Sequence, residues 1–304
     1  VVQGAGVGED CAAIRLGDEI CVLSTDPITA SATRLGKLAV LVSLNDVAAS
    51  GARPLCALLT LLAPPDASPE DIENVAREAA QEARAQGVSI VGGHTEVTDA
   101  VRRIVVSSTV VGHAAPGGLV CTGGARPGDA LVMSKHAAIE GVAILARDAA
   151  ARLAGALTPA ELAEASAMAD AISVLPEGRV GAASGVTAMH DATEGGVLGA
   201  AWEMAEASGL GLRVDGDAIA VRPVTRKLCT ALGIDPLRLI SSGVMLFAHP
   251  DGAALCAALA AAGIEAAVIG NLLGPGEARF ALFGGRETPL KPPERDEIYS
   301  LQDL

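Results

Sequence analysis

Asn45-Asp46-Val47-Ala48-Ala49-Ser50-Gly51-Ala52-Arg53-Pro54 sets an amide and a carboxylate on an otherwise apolar segment. Just before it, Leu38, Leu41, Val42 and Val47 recur near helical spacing and predict a helix over residues 35–50. Gly51 and Pro54 then stop it. A carboxylate on a buried helix face is costly unless something pairs with it. Asn45-Asp46 therefore calls for a cation.

Outward from that helix, a strand at 20–23 runs into Ser24-Thr25-Asp26. After it comes a helix capped by Ser68, with Pro69 in first position, Glu70 and Asp71 at its positive end and Gly87 beyond its last turn. Residues 88–91 and 104–111 are short, β-branched and strand-like. A loop rich in glycine and proline over 113–127 marks the domain boundary. Beyond it the pattern predicts a strand at 130–134 and alanine-rich helices over 141–153 and 159–174. A turn follows through His190-Asp191-Ala192-Thr193-Glu194-Gly195-Gly196 into a helix ending near Ser208. A strand at 243–248, a helix at 252–262 and strands at 267–269 and 279–282 complete the pattern. The expectation is a two-domain α/β (α+β) chain: 1–115, 125–290, and a polar, extended tail over 291–304.

Composition agrees with that class. Of 304 residues, 50% are hydrophobic but only 2% aromatic, so the core must be built from Ala, Val, Leu and Ile. Such material suits sheets covered by alanine-rich helices. A net charge of −14 repels phosphate and argues against a nucleic-acid partner. An acidic protein can still hold a nucleotide if divalent cations stand between its carboxylates and the phosphates. The six cysteines include no CxxC and read as reduced core residues. With no long uncharged apolar run and no signal-peptide pattern, the expectation is a cytoplasmic protein that engages no membrane.

Several familiar chemistries are missing. There is no GxxxxGK[ST], GxSxG or HExxH, and no His/Cys grouping has zinc spacing. Gly4-Ala5-Gly6-Val7-Gly8 lacks the final gap of a dinucleotide fingerprint and the strand that should precede it. It reads as a mobile loop or as a flap over a ligand. What the chain offers instead is acidic residues placed around element ends: Asp10, Asp26, Asp46, Glu96 and Asp191. Singly, each could serve as a turn or cap residue. Together, hard oxygen ligands are what Mg²⁺ or Mn²⁺ needs when it bridges triphosphate oxygens. His94 and His190 are each either hydrogen-bonding histidines or site residues, general base being one role open to them.

The order of these motifs resembles the superfamily of aminoimidazole ribonucleotide synthetase (the PurM-like fold), thiamine-monophosphate kinase, selenophosphate synthetase and the hydrogenase maturation carbamoyl dehydratase. The matching pieces are Gly8-Glu9-Asp10-Cys11-Ala12, Ser24-Thr25-Asp26, the stretch from Asn45 to Pro54, Gly92-Gly93-His94-Thr95, and the stretch from His190 to Gly196. Gly36-Lys37-Leu38-Ala39-Val40 and Ala205-Glu206-Ala207-Ser208-Gly209 are most similar to the carbamoyl dehydratase branch. The resemblance implies an N-terminal ATP-binding and dimerisation domain whose sheet forms a barrel with a second subunit, and a C-terminal α/β sandwich. It implies ATP beneath the Gly4, Gly6 and Gly8 segment, with Asp10, Asp26 and Asp46 holding metal ions. Asn45, the Gly92, Gly93 and Thr95 turn, and Thr193, Glu194 and Gly195 would line the cofactor. His94, His190 and Asp191 are the catalytic candidates, and Glu96 is a further metal candidate because His94 stands where the family often has an acid.

The implied chemistry is ATP-driven activation of an oxygen on a small substrate, by phosphorylation or dehydration, in a homodimer with a possible maturation partner protein. The branch carries its carbamoyl group on a terminal cysteine, whereas this sequence ends Tyr299-Ser300-Leu301-Gln302-Asp303-Leu304. The absence of a cysteine between Gly4 and Gly8 argues against selenophosphate synthesis. A nucleotide-binding accessory protein without turnover therefore stays open beside the enzyme. Thiamine-monophosphate-kinase-like and cyclo-ligase activities also stay open, since no residue pattern selects either.

Overall fold

The computed structural model describes residues 1–28, 34–293 and 295–301. They divide into two compact units, Val1–Ala5 with Asp10–Leu119, and Gly6–Glu9 with Val120–Leu304.

The first unit runs β1 (Ala12–Leu16), β2 (Glu19–Ile28), α1 (Leu35–Ala49), β3 (Arg53–Ala63), α2 (Pro69–Ala85), β4 (Ser89–Val97) and β5 (Val105–Ala114). Its sheet has the order β1-β2-β5-β3-β4, antiparallel except for the β3–β4 pair. A parallel pair needs a crossover, and α2 provides it. Ser68 caps α2 by accepting from the Asp71 amide, and the Asp71 carboxylate answers on the Ser68 backbone. Only Ala79 and Ala83 of α2 are buried, as its charged sequence requires. In α1, by contrast, every residue except Lys37 and Val42 is buried. An all-round apolar helix belongs between two layers, and α1 lies between the sheet and α2.

Because α1 covers one side of the sheet, β5 alternates. Val106, Ser108, Val110 and Gly112 are buried towards the helix, while Val105, Ser107, Thr109, Val111 and His113 are half-buried on the other face. Leu58 and Thr60 of β3 continue that open face and are exposed.

One expectation fails here. Gly92-Gly93-His94-Thr95 is not a turn: β4 continues through it, laddered on β3 from Leu58–Gly92 to Ala63–Val97. The glycines mark a close backbone approach instead. A Cβ on Gly93 would lie 1.9 Å from the Leu59 carbonyl oxygen.

The second unit runs β6 (Ala130–Ser134), α3 (Ile139–Asp148), α4 (Ala150–Leu153), α5 (Pro159–Ala167), α6 (Leu175–Ser184), β7 (Ala188–Ala192), α7 (Gly196–Ala207), β8 (Leu212–Asp215), α8 (Pro223–Leu232), β9 (Val244–His249), α9 (Gly252–Ala261), β10 (Ala266–Leu272), β11 (Arg279–Phe283) and β12 (Arg286–Pro289). The sheet order is β12-β11-β8-β10-β6-β9-β7, and only β8–β11 is parallel. β6 and β7 are buried throughout, so their sequences show no alternation.

The predicted helix over 159–174 is shorter than expected. α5 gives way to a 3₁₀ turn at Met168–Ala171, and α6 restarts with Pro176 in its first turn, a position proline tolerates because the first amides have no helical partner. His190 and Asp191 lie in strand β7 rather than in a turn. The tail is not extended: Glu297–Leu301 forms a 3₁₀ turn. Of the cysteines, Cys11 and Cys229 are buried, while Cys21, Cys56, Cys121 and Cys256 are half-buried rather than in the core. Among the described residues, no helix is long and apolar enough to cross a membrane.

Candidate functional site

In the first unit Ser24 of β2 meets Asp46 of α1, with Asp26 on the same face of the strand. Alternation along β2 sends Val22, Ser24 and Asp26 to the helix side. Asp46, in the last turns of α1, faces them, and the buried Ser24 hydroxyl donates to its carboxylate. Asn45 is fully buried beside it, and Ser43 one turn earlier donates to the Ser108 carbonyl at 3.3 Å. Asp26 is half-buried, two residues past Ser24 on the same face, and pairs in register with Ser108 inside β2 rather than at its end. Ser24 was not among the sequence candidates. The signal for it was its spacing of two from Asp26, which becomes readable once 24–26 is recognised as strand.

His94 and Glu96 do not join this group within the chain. Their register partners on β3 are Thr60 and Leu62, which places them on the open face, opposite to Asp26 and Asp46. β4 also lies three strands from β2, roughly 14 Å at ordinary strand spacing. His94 Nε2 and Glu96 Oε2 are 3.5 Å apart, and both side chains are exposed. Gly93 and Thr95 turn to the helix side of the same edge strand. Asp10, half-buried, stands two positions before β1, and Gly4 is exposed in the segment before it.

In the second unit, Gly6–Glu9 docks beside β7. The Glu9 carboxylate accepts from the amides of Thr122 and Gly123, each at 3.4 Å. Gly6 is exposed, while Gly8 has φ +71° and packs against Thr122 and Glu203. His190 and Asp191 are buried on β7, and His190 Nε2 lies 3.1 Å from Glu203 Oε2 on α7. Glu203 was missed in the sequence because nothing in a helical alanine-rich run singles out one glutamate.

The turn after β7 is engaged by the chain itself. The Thr193 carbonyl accepts from the amides of Gly196 and Ser241, both at 3.2 Å. The Gly195 amide, at the start of α7, donates to Asp296 Oδ2 at 2.7 Å, and Ile298 N–H donates to Asp296 Oδ1 at 2.8 Å. Tyr299 donates its hydroxyl to Glu194 at 2.7 Å, and Pro293 packs on Gly195. Burial pushes the Asp296 carboxyl above its usual range, and burial pushes the fully enclosed Glu140, bonded to Ser242, in the same direction. The Glu194 carboxylate raises the Tyr299 hydroxyl to about 12. Glu194 and Gly195, candidates for lining a cofactor, therefore hold the C-terminal segment in this structure, while Thr193, a third, ties the turn to Ser241.

Comparison with known proteins agrees with this architecture. Residues 8–114 match the AIR synthase related protein N-terminal domain, and residues 126–282 match the C-terminal domain of the same family. The carbamoyl dehydratase HypE of Rhodobacter capsulatus is 33% identical over 83% of this chain and 74% of its own length. A solved HypE in a HypE–HypF complex superposes with a TM-score of 0.79 at 23% identity, covering 94% of each chain. The hydrogenase maturation protein HypE solved in complex with ATP gives 0.75 at 25% identity, covering 91% of this chain and 86% of the other. The chain thus belongs to the AIR synthase related family, in its HypE-like branch.

Proposed function

We propose that this protein is an ATP-dependent enzyme that activates a small oxygen-bearing group for dehydration, in the manner of the carbamoyl dehydratases. The observation that carries the reading is the buried Asp46 carboxylate, held by the Ser24 hydroxyl with Asp26 on the same face of β2. These donors are all oxygen, the chemistry of a hard divalent ion, so the residues fit Mg²⁺ or Mn²⁺. When bound, such an ion offsets the negative charge of the phosphates.

The steps balance simply. A carbamoyl oxygen attacks the terminal phosphorus of ATP, and the bond to ADP breaks. The oxygen, a poor leaving group before, then departs as phosphate while the substrate nitrogen loses its protons. In this reading Asp26 and Asp46, with Asp10, are the metal-holding carboxylates, and the buried Asn45 helps fix the α1 end of the site. His190 and Asp191, on β7 of the second unit, are the candidates for moving a proton. Gly4, Gly6, Gly8, Gly92, Gly93, Thr95, Thr193, Glu194 and Gly195 remain nucleotide candidates, with His94 and Glu96 on the open face of the first sheet.

That open face supports a second part of the proposal, a homodimer. Leu58, Thr60, Thr109 and Val111 form a mixed apolar and polar sheet surface that, among the described residues of the unit, no helix covers. A second copy is a chemically matched cover, and sedimentation should give twice the chain mass; a monomer at tens of micromolar would remove the shared barrel. A cytoplasmic location and a maturation partner, as in the HypE–HypF complex, belong to the same proposal. The deciding test is calorimetry with Mg²⁺ and ATP on the wild type and on Asp46→Ala, together with phosphate release in the presence of a carbamoyl donor. Equal affinity of the two proteins would take Asp46 out of the site.

A further inference from the structure

We propose that the carbonyl oxygens of Ala171, Ser173 and Gly243, with the Glu177 carboxylate, form a monovalent-cation site that the Lys135 ammonium occupies, and that takes up K⁺ once that side chain is removed. The cage lies wholly within the second unit and needs no nucleotide.

Lys135 directly follows β6. Its Nζ donates to the carbonyl oxygens of Ala171 at 3.0 Å, Ser173 at 2.7 Å and Gly243 at 2.9 Å. Glu177 Oε1 lies 2.7 Å from the same nitrogen. Ala171 ends the 3₁₀ turn, Glu177 stands in the first turn of α6, and Gly243 immediately precedes β9. Two distant stretches of chain thus aim four oxygens at one point, and a third stretch fills it.

An ammonium carries three hydrogens, and the three carbonyls take them. Glu177 is fully buried, yet among the described residues neither of its carboxylate oxygens accepts a well-directed hydrogen bond. It is held by charge alone, and without a cation beside it the burial would be strongly unfavourable. Four oxygens around three hydrogens is a mismatch that a spherical ion does not have. The separations exceed the roughly 2.0–2.6 Å at which Mg²⁺ and Ca²⁺ hold oxygen. Backbone carbonyls are instead the ligands that replace the hydration shell of K⁺.

The backbone adds a second observation. Lys135 has φ +52°, a left-handed conformation uncommon for a residue with a side chain. Such strain persists where the surroundings over-determine it, as the caged ammonium does here. Gly243, at φ +106°, lets its strand start close to the 3₁₀ turn: a Cβ there would lie 2.8 Å from the Ala171 carbonyl oxygen. Burial pulls the Lys135 ammonium below its ordinary range, while Glu177 opposes the shift. A lysine that served only as the charge partner of Glu177 would leave, on its removal, a gap that every salt screens alike.

The test uses Lys135→Gly, which deletes the ammonium and suits the left-handed backbone. Urea unfolding is measured in KCl and in tetramethylammonium chloride, both at about 0.1 M so that screening is equal. The unfolding equilibrium constant of the variant should be about sixfold smaller in KCl, the mass-action factor for a site with a Kd of about 20 mM. Wild type should not distinguish the salts, and neither should Lys135→Met, whose apolar stem keeps the space filled. Equal stability of Lys135→Gly in the two salts, or a wild type that responds as strongly, would overturn the proposal. Where Lys135→Gly is unfolded in tetramethylammonium chloride, circular dichroism during a KCl titration is the readout: recovered structure supports the site, and a chain unfolded in both salts counts against it. Crystals of the variant soaked in Tl⁺, a heavy substitute for K⁺, should show an anomalous peak among the four oxygens, and a map without that peak also overturns the assignment.

Discussion

Two groups of acidic side chains in this molecule look alike in sequence and behave differently in space. In the first unit, Asp46 is buried against Ser24 with Asp26 on the same face of β2. In the second, Glu140 and Asp296 are buried, and burial raises both above the ordinary carboxylate range. In the first group Asp46 accepts from the Ser24 hydroxyl where β2 packs on α1. In the second, Glu140 is bonded to the Ser242 hydroxyl, while Asp296 accepts backbone amides from Gly195, at the positive end of α7, and from Ile298. Buried acids can thus serve a proposed ligand site, as at Asp46, or dock the chain on itself, as at Asp296.

The comparison can be broken most decisively at Asp46. Asp46→Ala should weaken Mg²⁺-ATP binding by at least about 100-fold, about 2.7 kcal/mol, whereas Asp296→Ala should leave that affinity far less affected. Matching losses in the two variants would erase the distinction. Next in size is stability. Asp296→Ala removes the acceptor for the Gly195 and Ile298 amides and should cost about 2 kcal/mol in urea denaturation, with faster proteolysis within residues 291–301. A loss near zero would mean that the tail is not held by this contact.

The smallest effect sharpens the sign. Glu140 has a folded-state pKa above its unfolded value, so its share of stability is complete below the unfolded value, roughly 4, and is lost as pH rises through the folded value. Glu140→Gln removes that titration. Its stability relative to wild type should therefore increase with pH above that threshold, as read by urea midpoints at several pH values. A difference independent of pH would show that Glu140 titrates normally.

Much of the fold was legible beforehand. Ser68 and Pro69 announced the start of α2, and Ala130–Ser134 is a strand of the expected length. The stretch from Asn45 to Pro54 marked both the end of α1 and the family. The candidate site was less legible. Gly92-Gly93-His94-Thr95 read as a turn because glycine pairs usually punctuate elements, whereas here Gly93 answers the carbonyl of Leu59 on a neighbouring strand. His190-Asp191 read as a turn because a fully buried strand carries no alternation.

Sequence alone determined the local and compositional facts: caps, helix stops, a core poor in aromatics, and an acid on an apolar helix. Each of these depends on residues within a few positions of one another or on the sum of all residues. Tertiary structure alone decided which acids meet which donors: Ser24 with Asp46, Glu203 with His190, and Asp296 with Gly195. These partners stand 22, 13 and 101 positions apart, so only the sheet registers and helix packing bring them together.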